Sequence, residues 1–184
     1  GGEGINPLDE NSQLGKDYIQ AMEYCLRWAL FNREKMMRNI CDALGATFYE
    51  ETMVNRNHNH AEKKDGLWIH RKGATHAEDG MLGVIPANMR DGVYLVRGRG
   101  NADSLCSSSH GAGRVMSRSK AKKTFSLTDF RDIMHGVNPD GFTIDESRID
   151  ECPNAYKPIS EVMSNQEDLI EIITHIKPIV NVKG

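Results

Sequence analysis

The chain has 184 residues, 39% of them hydrophobic and 27% charged, with a formal net charge of −3. That length can close one domain around a substantial core, and the composition excludes disordered and fibrous classes. No apolar run approaches the roughly 18 residues of a membrane span, and Gly1 to Asp9 lacks the basic-then-apolar order of a signal peptide, so a cytoplasmic protein with no membrane partner is expected. The four cysteines, Cys25, Cys41, Cys106 and Cys152, lie far apart without a CxxC spacing, which argues against a zinc knuckle or a disulfide framework. The near-neutral total conceals an asymmetry. Arg97 to Lys123 carries seven Lys or Arg against one Asp, whereas Asp129 to Glu151 carries seven acids against two Arg. A local anion site fits this pattern better than general affinity for nucleic acid.

From Asp17 to Leu44 apolar residues recur at helical spacing (Tyr18, Met22, Cys25, Trp28, Ala29, Met36, Met37, Ile40, Leu44) and Gly45 offers a stop. One long amphipathic helix, or two, is expected, with the Met and Trp stripe in the core. Short β-like runs follow at 46–54, 66–71, 81–85 and 93–96, separated by Gly, Asp and Pro. The basic stretch 115–125 reads as helical, and Ser126 and Thr128 offer caps for a helix over 129–135 that Gly136 would end. Residues 160–176 read as helix, and Pro178 separates them from a strand over 179–182. The expected fold class is α+β, a single domain over residues 1–184. In it a long N-terminal helix packs on a mixed or antiparallel β-sheet, followed by C-terminal helices and a final strand.

Three polar constellations stand out. In Cys106 to Arg114 (CSSSHGAGR), Gly111, Ala112 and Gly113 let the backbone approach a ligand closely, and consecutive N–H groups can form an anion nest. Arg114 and Arg118 add cationic forks one helical turn apart, a helix beginning near Gly113 would add its dipole, and His110 stands at the lip, where an imidazole could serve as nucleophile or metal ligand. A plain Ser/Gly turn, or a Cys106/His110 thiol–imidazole pair, are the competing readings. In Asn57-His58-Asn59-His60 with Glu62, imidazoles two apart on a strand share a face and could bind metal. Histidines satisfied singly at the surface or in the core are the alternative there, and the wider letter spacing of an HNH nuclease is not met. In His70-Arg71-Lys72-Gly73 two cations flank a flexible residue, which suits phosphate or simply a solvated strand edge. The acidic segment 145–157 by itself reads as a surface loop.

Taken together, these strings resemble the RtcB family of RNA-splicing ligases, which join RNA 3′-phosphate or 2′,3′-cyclic phosphate ends to 5′-hydroxyl ends. The resemblance rests on GKDYIQAMEYCLRWALFNRE, His58-Asn59, HRKGAT, IPANM, CSSSHGAGRVMSR with KAKK, DECPNAYKPISEVM and PIVNVKG, in family order over nearly the whole chain. It implies an RtcB-like fold, RNA as partner, and GTP and Mn(II) as cofactors, in a setting of tRNA splicing or RNA repair. It further implies that His110 takes GMP from GTP, that His58 is a manganese ligand and that Asn59 touches the nucleotide. Pro86, Ala87, Asn88 and Met89 would lie beside the guanosine, Gly111, Ala112 and Gly113 would form the phosphate loop, and Lys183 would contact guanine. Lys72, Arg114 and Arg118 are, by charge and position, candidates to hold RNA phosphates.

The chain departs from the family pattern in two places. Arg90-Asp91-Gly92-Val93 follows IPANM where the family reads Gly-Thr-x-Ser, and neither a DxGC-type nor an HSGSRG motif occurs. The resemblance therefore implies the C-terminal half of a ligase whose N-terminal half lies on a separate or longer chain. The alternative is a non-catalytic module, derived from the family, that binds nucleotide or RNA ends.

Overall fold

The computed structural model describes residues 6–137 and 144–183. It is an α+β structure, and each pairing among its described strands is antiparallel. The first helix, α1 (Gln13–Leu44), is a single rod of 32 residues, about 48 Å long at 1.5 Å per residue. Ser12 caps its start by accepting from the Gly15 amide, and Gly45, at φ +64°, ends it in the left-handed conformation.

Among the described residues seven strands form three small sheets. Strands β1 (Asn59–Lys64) and β2 (Leu67–Lys72) make a ribbon whose two-residue turn, Asp65-Gly66, has positive φ at both positions, the geometry that matches strand twist. Strand β3 (Ala74–His76) pairs with β6 (Ser107–Ser109), Ala74 opposite Ser109. Strands β4 (Leu82–Pro86), β5 (Val93–Gly98) and β7 (Ile170–Ile176) form the largest sheet, with β5 in the middle.

Among the described residues three short α-helices follow: α2 (Arg118–Thr124), α3 (Leu127–Ile133) and α4 (Ile159–Ser164). Ser126 and Asp129 close a capping box on α3. One apolar cluster lies behind the three-stranded sheet, where Ile85, Val96 and Ile170 meet Ile159 and Met163 of α4. A second gathers Met89, Phe130, Met134 and Cys152 beside α3. The four cysteines are free thiols, and among the described residues no helix is long and apolar enough to cross a membrane.

Several sequence expectations require correction. The Met and Trp stripe of α1 is not core: Trp28 is 60% and Met36 54% exposed, and Gly15 is the only buried residue of the helix. Periodicity identifies an apolar face, and within this chain little covers that face. The helix meets the segment leading into β1 through Arg33, whose Nε and Nη2 donate to Asn55 and Asn57. A cleft of about 590 Å³ lies between Tyr18, Ile19 and Met22 on the helix and Ala61, Trp68 and His70 on the ribbon. Residues 46–54, expected as strand, are irregular apart from a 3-10 turn at Glu50–Thr52. The expected helix over 160–176 stops at Ser164, and Ile170–Ile176 is instead the edge strand β7; 179–182, expected as strand, belongs to none. The helix expected near Gly113 begins at Arg118, capped by Ser117.

Candidate functional site

The β3–β6 pairing brings the two most informative sequence strings together. Strand β6 delivers His110, whose backbone N–H donates to Gly73 O at 3.3 Å. Gly73, at φ +76°, lies under the ring, where a Cβ would come within 3.6 Å of His110 Cε1 and Nδ1. His58, just before β1, stacks on His110 with 5.1 Å between ring centroids and 4° between planes. Burial lowers the His58 pKa, with His110 and Arg33 adding to the effect, so the ring favours its neutral form. The His110 Nδ1 is buried without a hydrogen-bond partner.

His110 stands where two clefts meet. The first, about 680 Å³, is lined by Pro86, Ala87, Asn88 and Met89, by Gly111, Ala112, Gly113, Arg114 and Arg118, and at its far end by Lys183. The second, about 670 Å³, runs from His110 and Gly113 towards Lys157 and Gln166. Asn59 and Lys72 face each other across the open end of the β1–β2 ribbon, immediately before Gly73. Of the residues expected to meet nucleotide, manganese or RNA phosphate, all but His58, Asn59 and Lys72 line the first cleft, and those three belong to the ribbon end beside it.

The backbone and side chains of that cleft are more committed than the sequence suggests. The Ala112 N–H donates to Pro86 O of β4 at 3.0 Å and the Gly111 N–H to Ser109 Oγ at 3.3 Å, so two of the nest's donors are already used. Asn88 closes its own turn, accepting from the amides of Arg90 and Asp91, and Met89 is buried in the second cluster. Arg114 donates to the carbonyls of Met116 and Asp150 and to Tyr156 Oη, while its guanidinium lies 4.9 Å from the centre of the Tyr156 ring. Arg118 pairs with Asp150 and Glu151.

Glu151 is the hub that sequence reasoning missed. It is buried, and it accepts from Tyr156 Oη at 2.7 Å and from Lys183 Nζ at 3.2 Å as well as from Arg118. Burial pushes its pKa up, but Tyr156, Lys183 and Arg118 outweigh that, and the net shift is downward. The available signal was charge complementarity, since the acidic run 145–151 answers the basic run 114–123. The 145–157 segment is therefore a wall of the cleft, not merely a surface loop.

Two other readings are settled by the strands. Cys106 and His110 flank β6 at opposite ends, about 13 Å apart at 3.3 Å per residue, which removes the thiol–imidazole pair. Arg71 is buried and spent on Glu62, Ser107 and Leu105, so of the two cations beside Gly73 only Lys72 is presented outward. As for metal, His58 belongs to no set of three or more ligating groups among the described residues. An ion held there by this chain alone would lack the ligand number and support that fix a site, and the corner residues do not by themselves fit manganese. The one such set among the described residues is His60, Glu62 and His76, further along the same ribbon face.

Comparison of the sequence with known proteins places the chain in a class of RNA-splicing ligases. The family model described as tRNA-splicing ligase RtcB matches residues 3–184, and the chain belongs to that family. It is 39% identical over 189 residues to the RNA-splicing ligase RtcB of Escherichia coli strain K12, an alignment covering 95% of this chain and 45% of that protein. It is 28% identical over 210 residues to the tRNA-splicing ligase RtcB of Nanoarchaeum equitans, covering 95% of this chain and 43% of that one. The chain thus spans less than half the length of these relatives.

Proposed function

We propose that residues 1–184 act as one unit, the nucleotidyl-transfer half of a GTP- and Mn(II)-dependent RNA ligase that joins RNA 3′-phosphate or 2′,3′-cyclic phosphate ends to 5′-hydroxyl ends. The observation that carries this reading is the position of His110, an imidazole braced by Gly73 and His58 at the junction of two clefts large enough for a nucleotide and an RNA end. In this scheme a His110 nitrogen attacks the α-phosphorus of GTP, a P–N bond forms, the α–β P–O bond breaks and pyrophosphate leaves. GMP then passes to the RNA 3′-phosphate oxygen, and the 5′-hydroxyl attacks that activated phosphorus, displacing GMP and releasing its proton.

The residues of this chain bind and orient. Gly111 to Gly113 allow the phosphates to approach the backbone, Pro86, Ala87, Asn88 and Met89 with Asn59 border the nucleoside, and Lys183 reaches the base end of the cleft. Lys72 meets RNA phosphate directly, whereas Arg114 and Arg118 do so only by sharing their present carboxylate and carbonyl partners. Manganese, with His58 as a ligand, requires donors from a companion N-terminal half. The reading favours a soluble, cytoplasmic RNA-processing role.

The test is transfer of label from α-³²P-GTP in the presence of Mn(II), with and without the N-terminal portion of a relative. Acid-labile label on the chain, absent in His110→Ala, supports the proposal. No label with the complete set of ligands overturns it. Saturable binding of nucleotide or RNA ends without label would instead favour the binding module, a reading that the incomplete ligand set at His58 supports.

A further inference from the structure

We propose that His60, Glu62 and His76 form a transition-metal site of their own, for Zn(II) or a similar divalent ion, which clamps the β1–β2 ribbon to the β3–β6 pair. The site is separate from the nucleotide corner, and the inference stands whether or not His110 carries a nucleotide.

The backbone arranges the donors. His60 and Glu62 are two apart on β1 and share a face, and His76 ends β3 opposite them. The ligating atoms of all three lie within 4.8 Å of one another. His60 Nε2 is 2.9 Å from His76 Nε2, and His76 Nε2 is 3.6 Å from Glu62 Oε2. A tetrahedral zinc with bonds of about 2.0–2.1 Å sets its ligand atoms about 3.3 Å apart, a value that these two separations bracket.

Two of the three ligands are also held from behind, the support that fixes ring orientation and carboxylate direction in metal sites. His76 Nδ1 lies 3.3 Å from both oxygens of Glu78, so that nitrogen carries the proton and Nε2 offers its lone pair. Glu62 Oε1 is gripped by Arg71, whose side chain is only 1% exposed, which leaves Oε2 turned to His76. His60 is 8% exposed and its Nδ1 has no hydrogen-bond partner. Without an ion, His60 must keep its proton on Nε2 to bond His76, stranding a bare acceptor in the interior. An ion on both Nε2 atoms would replace this two-imidazole contact with three bonds, with His60 Nδ1 protonated and still without a partner. Two imidazoles, one carboxylate and an open position suit zinc or another first-row divalent metal rather than calcium or magnesium.

The measurement is a Co(II) titration of the whole chain followed by visible absorption, with displacement by Zn(II). One equivalent should give the d–d bands of low-coordinate Co(II), and the paramagnetic ion should shift the ring protons of His60 and His76. His76→Ala and Glu62→Gln should each weaken binding at least 100-fold. Glu78→Gln, which only orients His76, should weaken it about tenfold. His58→Ala should leave the affinity within twofold. Absence of Co(II) bands from the unsubstituted chain overturns the proposal. So does binding unchanged in both His76→Ala and Glu62→Gln, or lost in His58→Ala alone. Circular dichroism verifies that each variant is folded, and the proton shifts on the unsubstituted chain decide the matter if a variant is not.

Discussion

The rings of His58 and His110 lie parallel, 5.1 Å between centroids, although 51 residues separate them in sequence. His58 is held below its ordinary pKa by partial burial and then by His110 and Arg33, so it favours the neutral form and stacks on His110 as an uncharged ring. Replacing His58 with alanine removes one wall of the His110 ring and the proposed metal contact. We expect guanylylation of His110 to fall about 100-fold, the scale of loss from misplacing a reacting group, while the melting temperature changes little because His58, though partly desolvated, keeps much of its surface in water. Label transfer and thermal unfolding of the same preparation check both halves.

Glu151 and Lys183 share one hydrogen bond but differ in burial. Glu151→Ala leaves the part-buried Tyr156 hydroxyl without its acceptor, while Arg118, 65% exposed, keeps Asp150, and should cost about 2 kcal/mol, the scale of an unsatisfied buried donor. Lys183→Ala removes a side chain that is 40% exposed and should cost less than about 1 kcal/mol, while weakening nucleotide binding. Urea unfolding separates the two.

The same cluster sets the acid limb of stability. Burial opposes ionisation of Asp150, but Arg118 and Lys122 hold its pKa below the usual range, as Tyr156, Lys183 and Arg118 do for Glu151 against its own burial. Carboxylates depressed in the folded state contribute stability above their unfolded pKa, about 3.9 for Asp and 4.3 for Glu, and that contribution is lost as pH falls through the folded values. Stability should thus decline below about pH 4.3, and less steeply in Arg118→Ala, whose carboxylates titrate nearer their unfolded values. Denaturant melts between pH 7 and 3 measure the slope.

Two glycines allow strain to be separated from collision. A Cβ added at Gly113 (φ +72°) would meet nothing within 4 Å, whereas at Gly92 (φ +80°) it would meet Ile176 O at 2.1 Å. Gly113→Ala should cost about 1–2 kcal/mol, the left-handed penalty alone. Gly92→Ala should cost more and loosen the end of β7. Hydrogen exchange at Val93 and Ile176 would show the difference.

The helix α1 could be read from the sequence because its apolar spacing and Gly45 stop are local, and the capped α3 for the same reason. Strand β7 could not. Ile170, Ile172, Ile173 and Ile176 satisfy both a helical and an alternating period, and pairing with β5 decided between them. His110 and its glycine loop announced themselves as a string, but the meeting with His58 and Gly73 depends on β3–β6 register, which no spacing encodes. Glu151 reads as a loop residue because its partners Arg118, Tyr156 and Lys183 come from three segments.

The exposed stripe of α1 leaves the chain with a native optical reporter. It has two tryptophans: Trp28, standing in water on the helix, and Trp68, half-buried and donating to Glu10 at 2.6 Å. Collisional quenchers such as iodide will reach the first indole much more readily than the second. Anything that comes to lie along that helix face will shift Trp28 emission to the blue while leaving Trp68 as an internal standard.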